Sequence, residues 1–295
     1  MSEPHIHRTI SSDDTPIAGR VAGEGPPLVL TPAGPGDCET TWRPMLPWLS
    51  RRFECHLMDT RGRGLSGDHP DHTPARMVED IRAFTESIGT PVLLAEWGSF
   101  IGGAWGLFAA QEASSGIRVA ATFDPLPIGL EDEEDAARLG GVFERTAELA
   151  GEGHPVDAAR TFVQEMARHG YYTPEDMADG ATFDFWAAAR SNINTLFREL
   201  ELAEKAAAAV RGNGGALQPN PTDPEALGKT TIPVAVLHGA RSHPMNVKLA
   251  RYVADALPNA HIRAVDGAGH YGPYTHPEAV AREITAFFEE ALKPA

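Results

Sequence analysis

The sequence predicts an α/β protein, a mostly parallel sheet flanked by helices with an all-helical insertion. Three observations carry this. From 53 to 123, short apolar runs alternate with helical stretches, the pattern of a parallel sheet covered by helices. From 125 to 227 no strand pattern is visible. At 232 the alternation of strand and helix resumes and continues to the end. A chain of 295 residues can hold one large core and a modest insertion. The expected division is therefore a core segment over 1–124, a helical cap over 125–227 and a second core segment over 228–295.

The elements follow in order. Strands over 5–10 and 17–21 are joined by a turn of Ser, Asp and Pro. A strand over 27–30 runs into Thr31-Pro32-Ala33-Gly34-Pro35-Gly36, where proline and glycine end it. A short helix is expected over 42–49. The strand over 53–58 ends at Asp59 and the turn Arg61-Gly62-Arg63-Gly64, which reads as structural. A helix starts at Thr73 or Pro74 and runs to about 87. It carries Met77, Ile81, Phe84 and Ile88 on one face at helical spacing.

The strand over 91–95 is apolar without alternation, as expected where helices cover both faces of a parallel sheet. A glycine-rich apolar helix over 99–114 and a strand over 117–123 come next. The acidic run 131–135 opens the cap, with helices over 133–150, 155–169, 174–178, 181–190 and 192–210, then a Gly/Asn/Pro loop over 211–224. A strand over 232–237, a helix over 247–257, a strand over 261–265, the loop 266–275 and a helix over 278–291 complete the chain.

Composition removes several functions. A formal net charge of -16, from 41 acidic and 25 basic residues, argues against nonspecific nucleic-acid binding. Two cysteines cannot form a disulfide framework, and Cys38 reads as a small buried residue. The opening MSEPHIHRTI lacks the order of a secretory leader, so a cytoplasmic setting is expected. No apolar run approaches the length of a membrane span. Among 12 histidines there is no His-Glu-x-x-His, and there is no Cys-x-x-Cys. The glycines lack dinucleotide-binding or P-loop spacing. No metal and no cofactor are expected.

Open parallel sheets bind ligands at the carboxyl ends of their strands, which singles out the loops 31–38, 95–99, 123–125 and 266–275. Glu96 stands out, a single charge between a dry strand and a helix N-terminus. Leu94-Ala95-Glu96-Trp97-Gly98-Ser99 resembles the nucleophile elbow of the α/β-hydrolase superfamily, most closely the proline iminopeptidase branch, where the segment reads Gly-Gly-Ser-Trp-Gly-Ser. Pro32-Ala33-Gly34-Pro35-Gly36 resembles that branch's His-Gly-Gly-Pro-Gly oxyanion loop. Asp59-Thr60-Arg61-Gly62 resembles its Asp-Gln-Arg-Gly turn, and Gly267-Ala268-Gly269-His270 its catalytic-histidine loop. The resemblance implies a capped α/β-hydrolase fold.

It also implies a set of roles. Glu96 takes the place of the serine nucleophile, immediately after its strand, and His270 is the base. A second register, Gly98-Ser99-Phe100-Ile101-Gly102, would put Phe100 at the elbow, but Trp97-Gly98-Ser99 matches only the first. Ser99 is then expected in the first helical turn. The family's acid is replaced by Ser242, so Asp124 at the end of the preceding strand is the expected substitute, with Asp266, four residues before His270, the weaker candidate. Oxyanion donors are expected from Trp97 and from the loop around Gly34 and Gly36.

A carboxylate at 96 suits attack on an epoxide or ester better than amide hydrolysis, as in the epoxide hydrolases of the superfamily. The alternative is general acid–base chemistry by Glu96 in a lyase, isomerase or cyclase. A catalytically silent small-molecule binder is the other alternative. Tyr171, Tyr172, Phe183, Phe185, Trp186, Asn192 and Asn194 are expected to line the cap side of the pocket, with Ser242 and His243 on the core side. Tyr171 or Tyr172 would protonate a departing oxygen. The aromatic set implies a bulky, largely apolar substrate, of the kind met in secondary metabolism. The sequence leaves the oligomeric state, homodimer included, open.

Overall fold

The computed structural model describes residues 5–98, 104–127, 129–199, 201–202 and 218–293. Its centre is an eight-stranded sheet in the order β1-β2-β4-β3-β5-β6-β7-β8. The strands are β1 (His5–Ile10), β2 (Pro16–Ala22), β3 (Pro27–Leu30), β4 (Glu54–Met58), β5 (Val92–Trp97), β6 (Ile117–Phe123), β7 (Val234–Gly239) and β8 (Ala260–Val265). β2 pairs antiparallel with β1 and β4, and every other pairing is parallel. The chain moves outward from β3 to β4 and then returns to β5 on the other side. This reversal opens a crevice at the carboxyl ends of β3 and β5, where open sheets place their ligands.

Helices cover both faces. Leu49 of α1 (Leu46–Leu49) and Phe287 and Phe288 of α11 (Pro277–Ala291) pack with Leu28, Leu93 and Ala95. On the opposite face, Met77, Ile81 and Phe84 of α2 (Pro74–Ile88) and Leu107 of α3 (Trp105–Ala109) pack with Val29 and Leu94. The buried positions of α2 repeat at three and four residues, the stripe visible in the sequence. Pro74 opens that helix, where a missing N–H breaks no bond, and Gly89 closes it at φ 75°.

The cap enters between β6 and β7. It comprises α4 (Glu133–Gly151), α5 (Pro155–Arg168), α6 (Ala181–Ala188) and α7 over 193–199. Asp132 caps α4 by accepting the Asp135 N–H, so the acidic run serves the helix N-terminus. The helix α8 (Pro224–Leu227) lies beside α9 (Pro244–Ala256), and α10 (Gly272–Thr275) precedes α11. Among the described residues no helix is long and apolar enough to cross a membrane.

Some elements differ from expectation. The helix expected over 42–49 begins only at Leu46, after a run of turns. Residues 174–178 form no α-helix, because Asp176 turns back onto Thr173. A four-residue helix stands inside the expected loop 266–275. β5 runs on through Glu96 and Trp97, which pair with Thr122 and Phe123. Ser99 and residues 100–103, 200, 203–210 and 211–217 of the expected helices and loop lie outside the described residues.

Candidate active site under the cap

Three loops at the carboxyl edge of the sheet bring Asp124 and His270 together. Asp124 directly follows β6 with a left-handed φ of 44°, an uncommon backbone for a non-glycine residue. Across from it, a Cβ on Gly98 would collide with the Asp124 carbonyl and Pro125, so only glycine permits this approach of β5 to β6. The Asp124 side chain is fully buried. Its Oδ2 meets His270 Nδ1 at 3.0 Å and accepts from Ser242 Oγ at 2.7 Å and Asn246 Nδ2 at 3.3 Å. Ser242, expected at the position of the missing acid, thus donates to Asp124 on the neighbouring strand. His270 is 2 % exposed, and its Nε2 has no partner.

An aromatic wall surrounds the imidazole. Trp97 donates its indole N–H to the His270 carbonyl at 3.1 Å, which ties β5 to the histidine loop. Phe185 of α6 packs on Trp97, Tyr271 and Tyr274. Tyr172 stacks parallel to His270, with ring centroids 6.2 Å apart. Trp186 donates to the Tyr271 hydroxyl at 2.6 Å, and Tyr271 donates to that of Tyr172 at 3.2 Å. The Tyr172 proton stands at the end of this donor chain. Burial holds the Tyr172 phenol protonated well above its ordinary range.

The other expected residues fall in distinct places. Tyr171 donates to Asp135 at 2.6 Å and packs on His243, which caps α9 from the core side. Asn192 bonds the Pro35 carbonyl and Asp37, joining the cap to the loop after β3, whereas Asn194 is exposed. Phe183 is half-buried. Gly36 spends its N–H on the Ala33 carbonyl at 2.7 Å, and a Cβ there would collide with Thr41 Oγ1 and the Ala33 carbonyl. Gly34 keeps a left-handed φ of 50°, its carbonyl bonded to Arg63. Trp97 lies within the sheet ladder.

Glu96 occupies the other face of β5. Side chains alternate along a strand, and Leu93, Ala95 and Trp97 join the cap-side core while Leu94 joins the α2/α3 core. Glu96 follows Leu94. Its Oε1 accepts the Gly106 N–H of α3 at 2.9 Å and the Thr31 hydroxyl at 3.4 Å, and Oε2 has no partner. Its backbone is that of a strand, without the positive φ of Asp124.

Burial pushes the Glu96 carboxyl up from 4.5 to about 7, against the pull of the Gly106 N–H. The folded protein therefore binds this proton more tightly than the unfolded chain. Stability is full below about pH 4.5 and falls as pH rises toward 7, by on the order of 3 kcal/mol from this group. Urea denaturation between pH 4.5 and 8 should show that decline, and Glu96→Gln should flatten it. A variant with the wild-type slope would assign the decline to other groups.

Asp176 was not marked out by the sequence. It is buried, and its Oδ1 accepts the Tyr271 N–H at 2.5 Å, which clamps the histidine loop to the cap. The Thr173-x-x-Asp176 spacing reads as a helix start, and here the same spacing closes a turn instead. Among the described residues no three His, Cys, Asp or Glu side chains gather as metal ligands would.

Comparison with known proteins agrees with this architecture. The family described as alpha/beta hydrolase fold matches residues 26–277, and the chain belongs to that family. It is 22% identical over 294 residues to 2-hydroxy-6-oxo-6-(2'-aminophenyl)hexa-2,4-dienoic acid hydrolase of Metapseudomonas resinovorans, covering 96% of this chain and 91% of that one. It is 27% identical over 270 residues to cis-3-alkyl-4-alkyloxetan-2-one decarboxylase of Xanthomonas campestris pv. campestris, covering 84% and 83%. An alpha/beta hydrolase structure from Sphaerobacter thermophilus superposes with a TM-score of 0.69 at 26% identity, over 96% of this chain and 100% of that one.

Proposed function

We propose that this chain is a cofactor-independent enzyme acting on a bulky, largely apolar small molecule beneath the cap, with His270 as base and Asp124 as the group that orients it. The observation that carries this is the 3.0 Å contact from His270 Nδ1 to Asp124, which leaves Nε2 bare among aromatic side chains. By accepting from Nδ1, Asp124 fixes the proton there, so Nε2 presents a lone pair. That atom can take a proton from water as the water oxygen attacks an ester or epoxide carbon; the substrate's C–O bond then breaks, and the proton held on Nε2 passes to the departing oxygen. Tyr172, supplied by Tyr271 and Trp186, hydrogen-bonds the oxygen on which charge develops.

Alternation along β5 supports water as nucleophile over a covalent bond to Glu96, which leaves the strand on the face opposite Trp97. The names of the two relatives, a hydrolase of an aminophenyl-substituted dienoic acid and an alkyloxetanone decarboxylase, support a small organic molecule as substrate. The decarboxylase favours a second reading, in which the same pair moves a substrate proton without hydrolysis.

The test is turnover of a panel of bulky epoxides and activated esters, then a single turnover with excess enzyme in ¹⁸O-water. Solvent label should enter the first-turnover product. Turnover should fall about 10²–10⁴-fold in His270→Ala and persist in Glu96→Gln. An unlabelled first product, with label in the Glu96 peptide, would establish the covalent route. No turnover of any panel member by the wild type would favour a silent binder.

A further inference from the structure

The peptide unit that joins His270 to Tyr271 is held at both of its polar atoms. Its carbonyl accepts the indole N–H of Trp97 at 3.1 Å, and its N–H donates to Asp176 Oδ1 at 2.5 Å. A peptide unit is planar, and its C=O and N–H point in opposite directions. Bonds on both edges therefore fix the plane. The direction of the His270 side chain follows, because rotamers depend on the backbone that carries them. One anchor belongs to the core and the other to the cap: Trp97 ends β5, whereas Asp176 stands between α5 and α6.

Asp176 is locked within the cap everywhere except at this oxygen. Its Oδ2 accepts the N–H and the hydroxyl of Thr173, both at 2.9 Å. Its own N–H donates to that hydroxyl at 3.2 Å, and its carbonyl accepts from Thr182. Those partners lie in the cap, and only Oδ1 reaches out of it. The side chain is fully buried, and it also lies against the residue before the base. A Cβ on Gly269 would stand 2.5 Å from both carboxylate oxygens. The cap holds Tyr271 at its far end too, where Trp186 donates to the hydroxyl.

We infer that Asp176 is a positioning residue for His270: from the cap, it fixes the 270–271 peptide so that the imidazole keeps its contact with Asp124. The base is assembled by the seated cap and not by the core alone. This rests on the reading of His270 as base, and adds the cap residue that controls it.

The test is Asp176→Ala in the intact protein, with two readouts. In the NMR spectrum, the downfield Nδ1 proton of His270 should broaden away or move upfield. On a substrate found in the panel, kcat should fall about 10²-fold, the loss met on a misplacement near 1 Å, with KM little changed. Asn192→Ala is the control. It unties the cap from the loop after β3 and should keep the Nδ1 proton. Should Asp176→Ala fold poorly, Thr173→Val removes one bond to Oδ2 and should move the same proton in the same direction by less. The inference is overturned by an Nδ1 proton at its wild-type position in both Asp176→Ala and Thr173→Val, or by a raised KM at unchanged kcat. An equal loss in Asn192→Ala would also overturn it, since any loosening of the cap would then suffice. A wild type that lacks the Nδ1 proton, or keeps it in Asp124→Asn, would instead remove the His270–Asp124 reading itself, and this inference with it.

Discussion

Asp124→Asn is expected to lower kcat by about 10³–10⁴-fold while leaving the fold intact, the loss met when a histidine base keeps its position but changes tautomer. Three donors converge on Asp124 Oδ2, from His270, Ser242 and Asn246. An amide can present one oxygen to that cluster but loses the negative charge that stabilises an imidazolium. If its NH₂ turns toward His270 instead, Nδ1 must accept, and the proton moves to Nε2, where the base is needed. Steady-state rates on any substrate found in the panel measure the effect, with thermal melts as the control for folding. A variant within threefold of the wild-type kcat would remove Asp124 from the mechanism.

The largest effect on stability is expected at Arg61. Its guanidinium is fully buried and meets both oxygens of Asp80 at 2.7 Å, Asp13 at 2.9 Å and the Asp71 carbonyl at 2.6 Å. Asp80 on α2 is itself fully buried. Arg61→Ala leaves that carboxylate uncompensated, which should cost about 3–5 kcal/mol, a large share of a typical domain's stability. Urea denaturation at neutral pH reads this directly. The double variant Arg61→Ala/Asp80→Ala should lose less than the two single losses summed, because Asp80 no longer remains as a buried unpaired charge. Strict additivity would show that the pair does not act as a unit.

Much of this molecule is legible in its sequence because period and punctuation report local geometry. The face Met77, Ile81 and Phe84 identifies α2, Pro74 and Gly89 bound it, and the unalternating run before Glu96 marks a strand covered on both sides. The four loops singled out as candidate chemistry do meet at one edge of the sheet, since strand order follows from parallel crossovers. What is not legible is where a strand stops and which face a residue takes. Extending β5 by two residues puts Glu96 into the ladder and onto the α2/α3 side; the local signal for that later end, the glycines of Gly98-Ser99-Phe100-Ile101-Gly102, is present in the sequence but outweighed there by the match of Trp97-Gly98-Ser99. Asp176 shows the same limit. Its spacing from Thr173 is compatible with a helix start or a closed turn, and only the packing of the cap on Tyr271 decides between them.

The central claim is that Asp124 holds the proton on His270 Nδ1 and leaves Nε2 bare as the base. It is tested most directly by ¹⁵N NMR of the labelled imidazoles, with His270 assigned by its loss in His270→Gln. The account predicts, at a pH where His270 is neutral, the tautomer protonated at Nδ1, with a downfield Nδ1 proton that disappears in Asp124→Asn. A His270 protonated at Nε2 in the wild type, or a spectrum indifferent to Asp124→Asn, would contradict it.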